Sequence, residues 1–222
     1  MLPGWPRFDL YVITAVTLTS GRSHVEIARA ALAGGADALQ LRDKSAAAQN
    51  LCAAASEIQP MARKFGAVFV VNDRVDVALL TGADGAHVGP DDLPAREARR
   101  LLARPSILGV SAGTVAEAKK AVRDGADYLG VGPVFPTATK PDAGDAIGVE
   151  ALAAIVRAVP IPVVGIGGID HENVAAVIAA GAAGAAVVSA IVSAPDMAVA
   201  ARALKTRIQA ARRARGEAPA RA

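Results

Sequence analysis

Cysteine and aromatic residues are scarce in this chain. Among its 222 residues there is one cysteine, Cys52, and aromatic side chains make up 3%. A single cysteine excludes an internal disulfide framework and a metal cluster built on cysteine ligands. Because 53% of the residues are nevertheless hydrophobic, the core must consist of alanine and aliphatic side chains. A chain of this length can bury a large core, and we expect residues 1–222 to form one domain.

Long apolar runs and strong net charge are also missing. Charges, prolines or glycines interrupt every apolar segment before it reaches the length of a membrane span. The formal net charge is only +3, and the chain does not open with a basic region followed by an apolar run. No aromatic residues are interleaved with the C-terminal arginines, so we interpret residues 212–222 as a solvated, frayed helix end. We therefore expect a cytoplasmic protein with neither membrane nor nucleic-acid partners.

A short motif recurs along the chain at the points where a helical pattern gives way to an apolar run. It reads Gly35-Ala-Asp37, Gly82-Ala-Asp84, Gly125-Ala-Asp127 and Gly181-Ala-Ala183. In each copy the glycine follows a helical pattern and precedes a short apolar run, as expected where a glycine in the left-handed conformation ends a helix. The apolar runs after the motif are typical of strands that are covered on both faces. Strands and helices therefore alternate, which predicts parallel strands joined by helical crossovers.

Counting these units gives eight strands and eight helices. The predicted strands are Leu10–Thr14, Ala38–Arg42, Val68–Asn72, Gly85–Val88, Ile107–Ser111, Tyr128–Val134, Val163–Gly167 and Ala185–Ser189. The predicted helices are Val25–Gly34, Ala46–Phe65, Val75–Thr81, Ala95–Ala103, Val115–Asp124, Val149–Ala158, Glu172–Ala180 and Met197–Ala214. This count predicts an α/β fold, a TIM (β/α)8 barrel. The alternative is an open doubly wound sheet, which would usually carry a glycine-rich turn after its first strand, and this chain has none there.

Polar residues cluster where the predicted strands end, which is the active-site face of a (β/α)8 barrel. Asp73 and Asp92 follow two neighbouring strands, and carboxylates without histidine or cysteine partners suit Mg²⁺. Each aspartate is also suited to capping the helix that follows it. Capping does not explain the cations that follow other strands on the same face, namely Arg42, Lys44 and Lys140. Cations and carboxylates around one opening suit a complex of a metal ion with a diphosphate.

A second anion site is predicted after the last three strands. Thr137 and Thr139 lie on a loop after strand six, while Gly168 follows strand seven and Val188 and Ser189 follow strand eight. Loops at this place in a barrel often bind phosphate through backbone amides and hydroxyls. Two anion sites, one with a metal ion, predict an enzyme that joins two phosphorylated substrates or splits a diphosphate ester.

Three further polar side chains follow strands on this face. The amides of Gln40 and Asn72 are suited either to reading a heteroaromatic ring or to bonding within the barrel rim. We interpret His87, in an otherwise apolar strand, as a hydrogen-bonded structural histidine.

The motifs that carry these residues resemble those of the thiamine phosphate synthase family over nearly the whole chain, from Leu10 to about Leu204. They are Gln40-Leu-Arg-Asp-Lys44, Val71-Asn-Asp-Arg74, Gly85-Ala-His-Val-Gly-Pro-Asp-Asp-Leu93, Gly109-Val-Ser111, Gly130-Val-Gly-Pro-Val-Phe-Pro-Thr-Ala-Thr-Lys140, Val164-Gly-Ile-Gly-Gly-Ile169 and Val187-Val-Ser-Ala-Ile191. The segment that ends in Lys140 is the most diagnostic.

The resemblance implies a transferase of thiamine biosynthesis that uses Mg²⁺. It would join 4-amino-2-methyl-5-hydroxymethylpyrimidine diphosphate to a hydroxyethylthiazole phosphate, or to its carboxylated form, with dissociative loss of diphosphate. The metal ligands implied are Asp73 and Asp92. The residues implied for the pyrimidine diphosphate are Gln40, Arg42, Lys44, Asn72, Ser111 and Lys140, of which Arg42, Ser111 and Lys140 are the catalytic ones. Those implied for the thiazole phosphate are Thr137, Thr139, Gly168, Val188 and Ser189. Relatives are often homodimers, so the resemblance also allows a homodimer.

Two positions depart from the family pattern. Ala15 stands where the family often has aspartate, and Pro90 stands where it usually has glutamine. The nearest competing function is that of a thiazole tautomerase, which would need neither the metal carboxylates nor the diphosphate cations. Two more distant candidates are a binder of thiazole phosphate without activity and a sugar-phosphate epimerase. The epimerase would need an acid/base pair that the sequence does not supply.

Overall fold

The computed structural model describes residues 8–139 and 144–217. Its strands are β1 Leu10–Ile13, β2 Ala38–Leu41, β3 Val68–Asn72, β4 Gly85–Val88, β5 Ile107–Ala112, β6 Tyr128–Val131, β7 Val163–Ile166 and β8 Gly184–Val187. Its α-helices are α1 His24–Ala33, α2 Ala48–Lys64, α3 Val75–Thr81, α4 Ala95–Leu101, α5 Val115–Arg123, α6 Gly148–Ala158, α7 Val174–Ala179, α8 Ser189–Val192 and α9 Met197–Ala214. A 3₁₀ helix covers Val16–Leu18.

The strands form a closed parallel barrel in chain order. Each strand pairs with its neighbours in sequence, and β1 pairs with both β2 and β8. Closure excludes the open doubly wound sheet and confirms the predicted (β/α)8 barrel. The carboxyl ends of all eight strands therefore open on one face of the molecule, where the site residues of such barrels lie.

Five of the predicted strands end earlier than expected, β1, β2 and β7 by one residue and β6 and β8 by more. β6 stops at Val131 rather than Val134, because Pro133 has no amide proton for the ladder. β8 stops at Val187 rather than Ser189, because Ser189 begins the short helix α8. Neither α8 nor the 3₁₀ helix after β1 was predicted, since a single turn leaves too few residues for a periodic pattern.

The core has an inner and an outer layer. A small cluster fills the barrel interior near its amino end and includes Phe8, Tyr11, Val70 and Tyr128. The larger cluster lies between the strands and the surrounding helices and consists mainly of alanine, valine, leucine and isoleucine. Three aromatic residues, Phe8, Tyr11 and Tyr128, thus lie inside the barrel, beneath the open face.

The aspartates of the recurring motif tie neighbouring strands together. Oδ2 of Asp37 accepts a hydrogen bond from the Leu10 amide at 2.9 Å, and Oδ2 of Asp127 accepts one from the Leu108 amide at 2.8 Å. Asp84 accepts the Phe69 amide at 2.8 Å in the same way. Each of the three copies with aspartate therefore follows one helix and also binds an amide near the start of the preceding strand.

The C-terminal helix α9 packs against α7 and α1 in the outer ring, and its last turn reaches Asp9 at the amino end of the barrel. Arg212 is 6% exposed, and its Nε lies 2.6 Å from Oδ1 of Asp9. Its guanidinium also pairs with Glu217 at 2.5 Å, and Nη1 of Arg215 donates to the Ile178 carbonyl at 2.5 Å. The expectation of a solvated, frayed end is therefore wrong for Arg212, which is buried and paired, and the exposed Arg215 is bonded to the Ile178 carbonyl. Residues 213–216 are exposed, as expected, and residues 218–222 lie outside the described part. Among the described helices, none has the length and apolarity needed to cross a membrane.

Candidate active site

A cavity of about 580 Å³ opens at the carboxyl ends of the strands. Eleven of the predicted site residues line it: Gln40, Lys44, Asn72, Asp73, Asp92, Ser111, Thr137, Thr139, Gly168, Val188 and Ser189. They follow every strand from β2 to β8, at positions far apart in sequence. The prediction that these side chains share one face is confirmed by their position around one cavity.

Two predicted residues stand apart from this set. Arg42 does not line the cavity, although its charge is close enough to Asp73 to lower the pKa of that carboxyl. Its backbone amide donates to Oγ1 of Thr14 at 3.2 Å, which fixes the start of the loop after β2. Lys140 lies outside the described residues.

Asp73 and Asp92 face each other across two adjacent loops. Their carboxyl groups are within hydrogen-bonding reach of each other. Oδ2 of Asp92 accepts the Gly89 amide at 2.8 Å, and Nζ of Lys44 lies 3.7 Å from Oδ2 of Asp73. Neither carboxylate caps the following helix, since the residues at those cap positions are Arg74 and Pro94. The capping interpretation therefore does not account for this pair.

Backbone strain marks the same place. Asp73 has a φ of 61° and is the one non-glycine residue with positive φ among the residues described. Aspartate tolerates this left-handed conformation better than most residues, at a cost of order 1 kcal/mol. Its amide donates to the His87 carbonyl at 2.8 Å, which ties the β3 loop to β4. The strain keeps the Asp73 carboxyl group beside Asp92.

The pair of carboxylates shifts both pKa values. Burial, followed by the hydrogen bond and charge of Asp92, raises the pKa of Asp73 to about 6. Burial also acts to raise the pKa of Asp92, but the hydrogen bonds from Asp73 and Gly89 outweigh it and lower that pKa. Two carboxylates this close cannot both ionise easily without a cation between them.

This arrangement fits a hard divalent cation. Mg²⁺ is typically held by one or two carboxylates and completes its shell with water and substrate phosphate oxygens. Within residues 8–139 and 144–217, no group of three or more histidine, cysteine or acidic side chains is placed to hold a metal. The two carboxylates thus leave most ligand positions to a substrate, which suits Mg²⁺ and disfavours a closed structural zinc site.

The other side of the cavity is built from the loops after β6, β7 and β8. The amide of Phe135 donates to the Gly167 carbonyl at 3.0 Å, so the threonine loop lies on the turn after β7. Gly167 and Gly168 have φ values of 95° and 63°, and a Cβ on Gly168 would lie 2.5 Å from the Pro136 carbonyl oxygen. Only glycine allows this close approach.

Hydroxyl groups from two of these loops meet at the cavity wall. Oγ1 of Thr139 donates to Oγ of Ser189 at 3.3 Å, and the Thr139 amide donates to Oγ1 of Thr137 at 3.2 Å. The three hydroxyls therefore lie together although 52 positions separate Thr137 from Ser189 (189 minus 137). Clustered hydroxyls on glycine-containing loops can bind a phosphate.

A row of buried hydrogen bonds runs beneath the cavity. Nε2 of Gln40 donates to the Tyr11 hydroxyl at 2.9 Å, and the hydroxyls of Tyr11 and Tyr128 are 2.8 Å apart. Nδ1 of His87 lies 3.0 Å from the Tyr128 hydroxyl, and its Nε2 lies 3.0 Å from Oγ of Ser111. His87 is thus a buried, hydrogen-bonded histidine, as predicted, and it also lines the cavity.

The ionisable groups of this row stay neutral. Burial lowers the pKa of His87 to about 4. Burial likewise raises the pKa values of both tyrosines, Tyr11 and Tyr128. Sequence reasoning missed the tyrosines. The available signal was that the only two tyrosines of the chain stand in apolar strands, where a buried hydroxyl needs a partner.

A second network supports the loop after β2. Nδ1 of His24 lies 2.7 Å from Oγ1 of Thr14, and its Nε2 lies 3.4 Å from Oδ2 of Asp43. Oδ1 of Asp43 accepts the hydroxyl of Ser45 at 2.7 Å and its amide at 2.9 Å. These bonds fix the loop on which Arg42 and Lys44 lie.

Comparison with known proteins agrees with this geometry. The family model described as thiamine monophosphate synthase matches residues 10–191. A thiamine-phosphate synthase from Moorella thermoacetica is 54% identical over 207 residues, which cover 93% of this chain and 99% of the relative. One from Methanoregula boonei is 53% identical over 206 residues, covering 93% of this chain and 95% of the relative.

A solved structure gives the same result. The thiamine phosphate pyrophosphorylase from Pyrococcus furiosus superposes with a TM-score of 0.85 at 41% identity, over 92% of this chain and 96% of that one. The matched family model and these relatives span the strand ends that line the cavity. The chain therefore belongs to the thiamine monophosphate synthase family and is a transferase of thiamine biosynthesis.

Proposed function

We propose that this enzyme joins the pyrimidine diphosphate to the hydroxyethylthiazole phosphate and releases thiamine phosphate and diphosphate. The observation that carries the proposal is that one cavity has two chemically different sides. One side presents paired carboxylates with Lys44 beside them, and the other presents Thr137, Thr139 and Ser189. A diphosphate with its metal ion suits the first side, and a phosphate monoester suits the second.

Asp73 and Asp92 are the residues that would hold Mg²⁺. When bound, the ion would neutralise charge that develops on the departing diphosphate. Lys44 and Arg42 add positive charge near Asp73, and the Ser111 hydroxyl is placed to donate to an anionic oxygen. Lys140 is proposed for the same task. Gln40 and Asn72 present amides to the heterocycle.

The reaction needs stabilised charge and orientation more than a base. The bond between the pyrimidine methylene carbon and the diphosphate oxygen breaks, and diphosphate keeps the electron pair. The ring nitrogen of the thiazole then donates its lone pair to that carbon. No proton has to be removed from the nitrogen, so a neutral His87 is compatible with the chemistry. With the carboxylated thiazole, CO₂ is lost as well.

Thr137, Thr139, Gly168, Val188 and Ser189 are proposed to bind the thiazole phosphate. The hydroxyl cluster and the glycine turn hold one side of the cavity in place before substrate arrives. A fixed phosphate would keep the thiazole nitrogen pointed at the reacting carbon, which lowers the entropy cost of the second step.

The test is a coupling assay with both synthetic substrates, with and without Mg²⁺. Asp92→Ala should lower the rate of thiamine phosphate formation by roughly 100-fold or more, because charge on the leaving group loses its stabilisation. Asp76→Ala is the matched control. It removes an exposed carboxylate paired with Arg74, outside the cavity, and should keep wild-type activity.

Different outcomes would decide against the proposal. Formation of thiamine phosphate without Mg²⁺ would remove the metal role from Asp73 and Asp92. Binding or isomerisation of the thiazole phosphate without coupling would favour the tautomerase. Use of the carboxylated thiazole, a cytoplasmic location and a homodimer remain predictions, to be checked with the carboxylated substrate, by fractionation and by light scattering.

A further inference from the structure

The buried row beneath the cavity links two side chains that face substrate. It begins at Gln40 on β2 and passes through Tyr11, Tyr128 and His87 to Ser111 on β5. The first four are buried, whereas Ser111 is exposed to the cavity. Each of the four hydrogen bonds spans 2.8–3.0 Å between its heavy atoms. A continuous path of hydrogen bonds across the barrel interior therefore connects Gln40 to Ser111.

Counting protons gives this row a direction. Each tyrosine hydroxyl has one proton to donate, and a neutral imidazole has one N–H. Because Nε2 of Gln40 donates to Tyr11, Tyr11 donates to Tyr128, Tyr128 donates to Nδ1 of His87, and Nε2–H of His87 donates to Ser111. The Ser111 proton is then free for an acceptor in the cavity.

Only one further arrangement gives each of the four bonds a proton and leaves no buried hydroxyl proton unpaired. If the Gln40 amide turned and presented Oε1 to Tyr11, every bond in the row would reverse. Nδ1 of His87 would carry the proton, and Ser111 would donate to Nε2 of His87. Ser111 would then offer only lone pairs to the cavity, which repel an anion. The orientation of one amide thus decides whether Ser111 can bind a negatively charged group.

The backbone leaves room for this row at two glycines. A Cβ on Gly109 would lie 2.4 Å from Nδ1 of His87 and 2.4 Å from the Tyr128 hydroxyl. A Cβ on Gly130 would lie 3.0 Å from Cε1 of His87. Any other residue at Gly109 would displace the bond between the imidazole and the tyrosine.

We propose that Tyr11, Tyr128 and His87 are positioning residues that make hydroxyl donation by Ser111 depend on how Gln40 binds the heterocycle. The inference rests on the proposed function, which assigns the pyrimidine to Gln40 and the diphosphate to Ser111. With Nε2 directed at the tyrosine hydroxyls, Gln40 presents Oε1 to the cavity that it lines. This acceptor suits the amino donor of a 4-aminopyrimidine.

The direction of the hydrogen bonds in the row therefore affects which pyrimidine the enzyme accepts. A 4-oxo analogue offers the opposite pattern, a carbonyl acceptor next to a ring N–H donor. Binding it would favour the turned amide and reverse the row, so Ser111 would no longer donate to the diphosphate. The analogue would then be disfavoured by its hydrogen bonds with Gln40 and also by the loss of donation from Ser111 to its diphosphate.

The first test needs no substrate and uses ¹⁵N-histidine NMR to find which ring nitrogen of His87 carries the proton. The wild-type protein should show Nε2–H. Gln40→Glu replaces the donor by an acceptor, so His87 should switch to Nδ1–H although it does not touch residue 40. Nε2–H that persists to about pH 9, where even a buried carboxyl is ionised, would overturn the inference.

The second test uses the coupling reaction. Tyr128→Phe keeps the ring but cuts the row, and should lower kcat/KM for the pyrimidine diphosphate about tenfold while leaving KM for the thiazole phosphate unchanged. Its preference for the amino substrate over the oxo analogue should shrink by a similar factor. Adding Ser111→Ala should then cost little more, because coupled residues are not additive. Full additivity of the two changes, or an unchanged preference, would contradict the inference.

Phe8→Leu is the matched control. The Phe8 ring packs on Tyr128 with centroids 4.7 Å apart but forms no part of the row. It should lower stability while keeping the His87 tautomer and the substrate preference. If no variant, wild type included, forms thiamine phosphate, the proposed function fails, whereas the NMR result still tests the inference by itself.

Discussion

The two ends of the barrel differ in how their charged side chains are paired. At the amino end, opposite charges are paired: Asp9 binds Arg212 and Lys205, and Asp127 binds Arg99 at 2.7 Å and Arg104 at 3.0 Å. At the carboxyl end, two carboxylates face each other, with Lys44 3.7 Å from Asp73 and the charge of Arg42 also acting on Asp73. One end satisfies its charges internally, while the other is arranged for a ligand that brings charge with it.

The charged contacts that stabilise the fold therefore lie at the amino end of the barrel, and the groups that serve function lie at the carboxyl end. Paired charges at the amino end fix the helices to the strands. Like charges and strained backbone at the carboxyl end cost folding energy, which ligand binding can recover. Four predictions, ordered by expected size, test whether the ends are as different as their contacts indicate.

The largest effect is expected at the amino end. Asp127→Ala should lower the free energy of unfolding by about 3–5 kcal/mol, because it removes the carboxylate that pairs with Arg99 and leaves the buried Leu108 amide without its acceptor. Urea denaturation measures this. Glu97→Ala removes an exposed partner of Arg100 and should cost less than about 1 kcal/mol. Equal losses in both variants would show that the amino-end pairs are no stronger than surface pairs.

Acid should destabilise the protein through His87. The unfolded histidine takes up a proton below pH 6.5, but the folded one does so only near 4. The unfolded state therefore binds more protons in this window, and stability falls as pH falls, by about 3 kcal/mol for this group. His87→Gln should lose that much less on acidification than wild type. The control His171→Gln, at an exposed position, should follow wild type.

A change at the carboxyl end should stabilise the fold while removing function. Above pH 6 the folded protein ionises Asp73 against its raised pKa. Asp73→Asn relieves the repulsion and tolerates the left-handed backbone, so the free energy of unfolding should rise by about 1 kcal/mol while Mg²⁺-dependent activity is lost. Calorimetry measures the change in stability, and the coupling assay measures the loss of activity. An Asp73→Asn variant less stable than the wild type would contradict the proposed difference between the two ends of the barrel.

The smallest effect is expected in the loop after β2. His24→Ala removes the bonds to Thr14 and Asp43 that hold this loop, so KM for the pyrimidine diphosphate should rise roughly threefold, or about 0.6 kcal/mol. Steady-state kinetics with each substrate varied in turn would show it. A similar rise in KM for the thiazole phosphate would point to a general loosening of the barrel instead.

The sequence was informative where the signal was local. Apolar runs after Gly-Ala-Asp located the strands, and polar residues after those runs located the open face. The anchoring of Arg212 was not predictable, because its partner Asp9 is 203 positions away (212 minus 9). The same holds for the bond between Tyr11 and Tyr128, which depends on which strands cross the interior.

The Gly-Ala-Asp motifs group the eight strands in twos. The carboxylates of Asp37, Asp84 and Asp127 clamp β2 to β1, β4 to β3 and β6 to β5. In the fourth copy Ala183 replaces aspartate, and its carbonyl accepts a hydrogen bond from Arg212. The barrel thus consists of four tandem two-strand modules, and the first three carry an aspartate clamp between their strands. During synthesis each of these three clamps can form as soon as the second strand of its module is made, whereas β7 and β8 are joined by backbone bonds such as that from the Ala183 amide to the Val163 carbonyl.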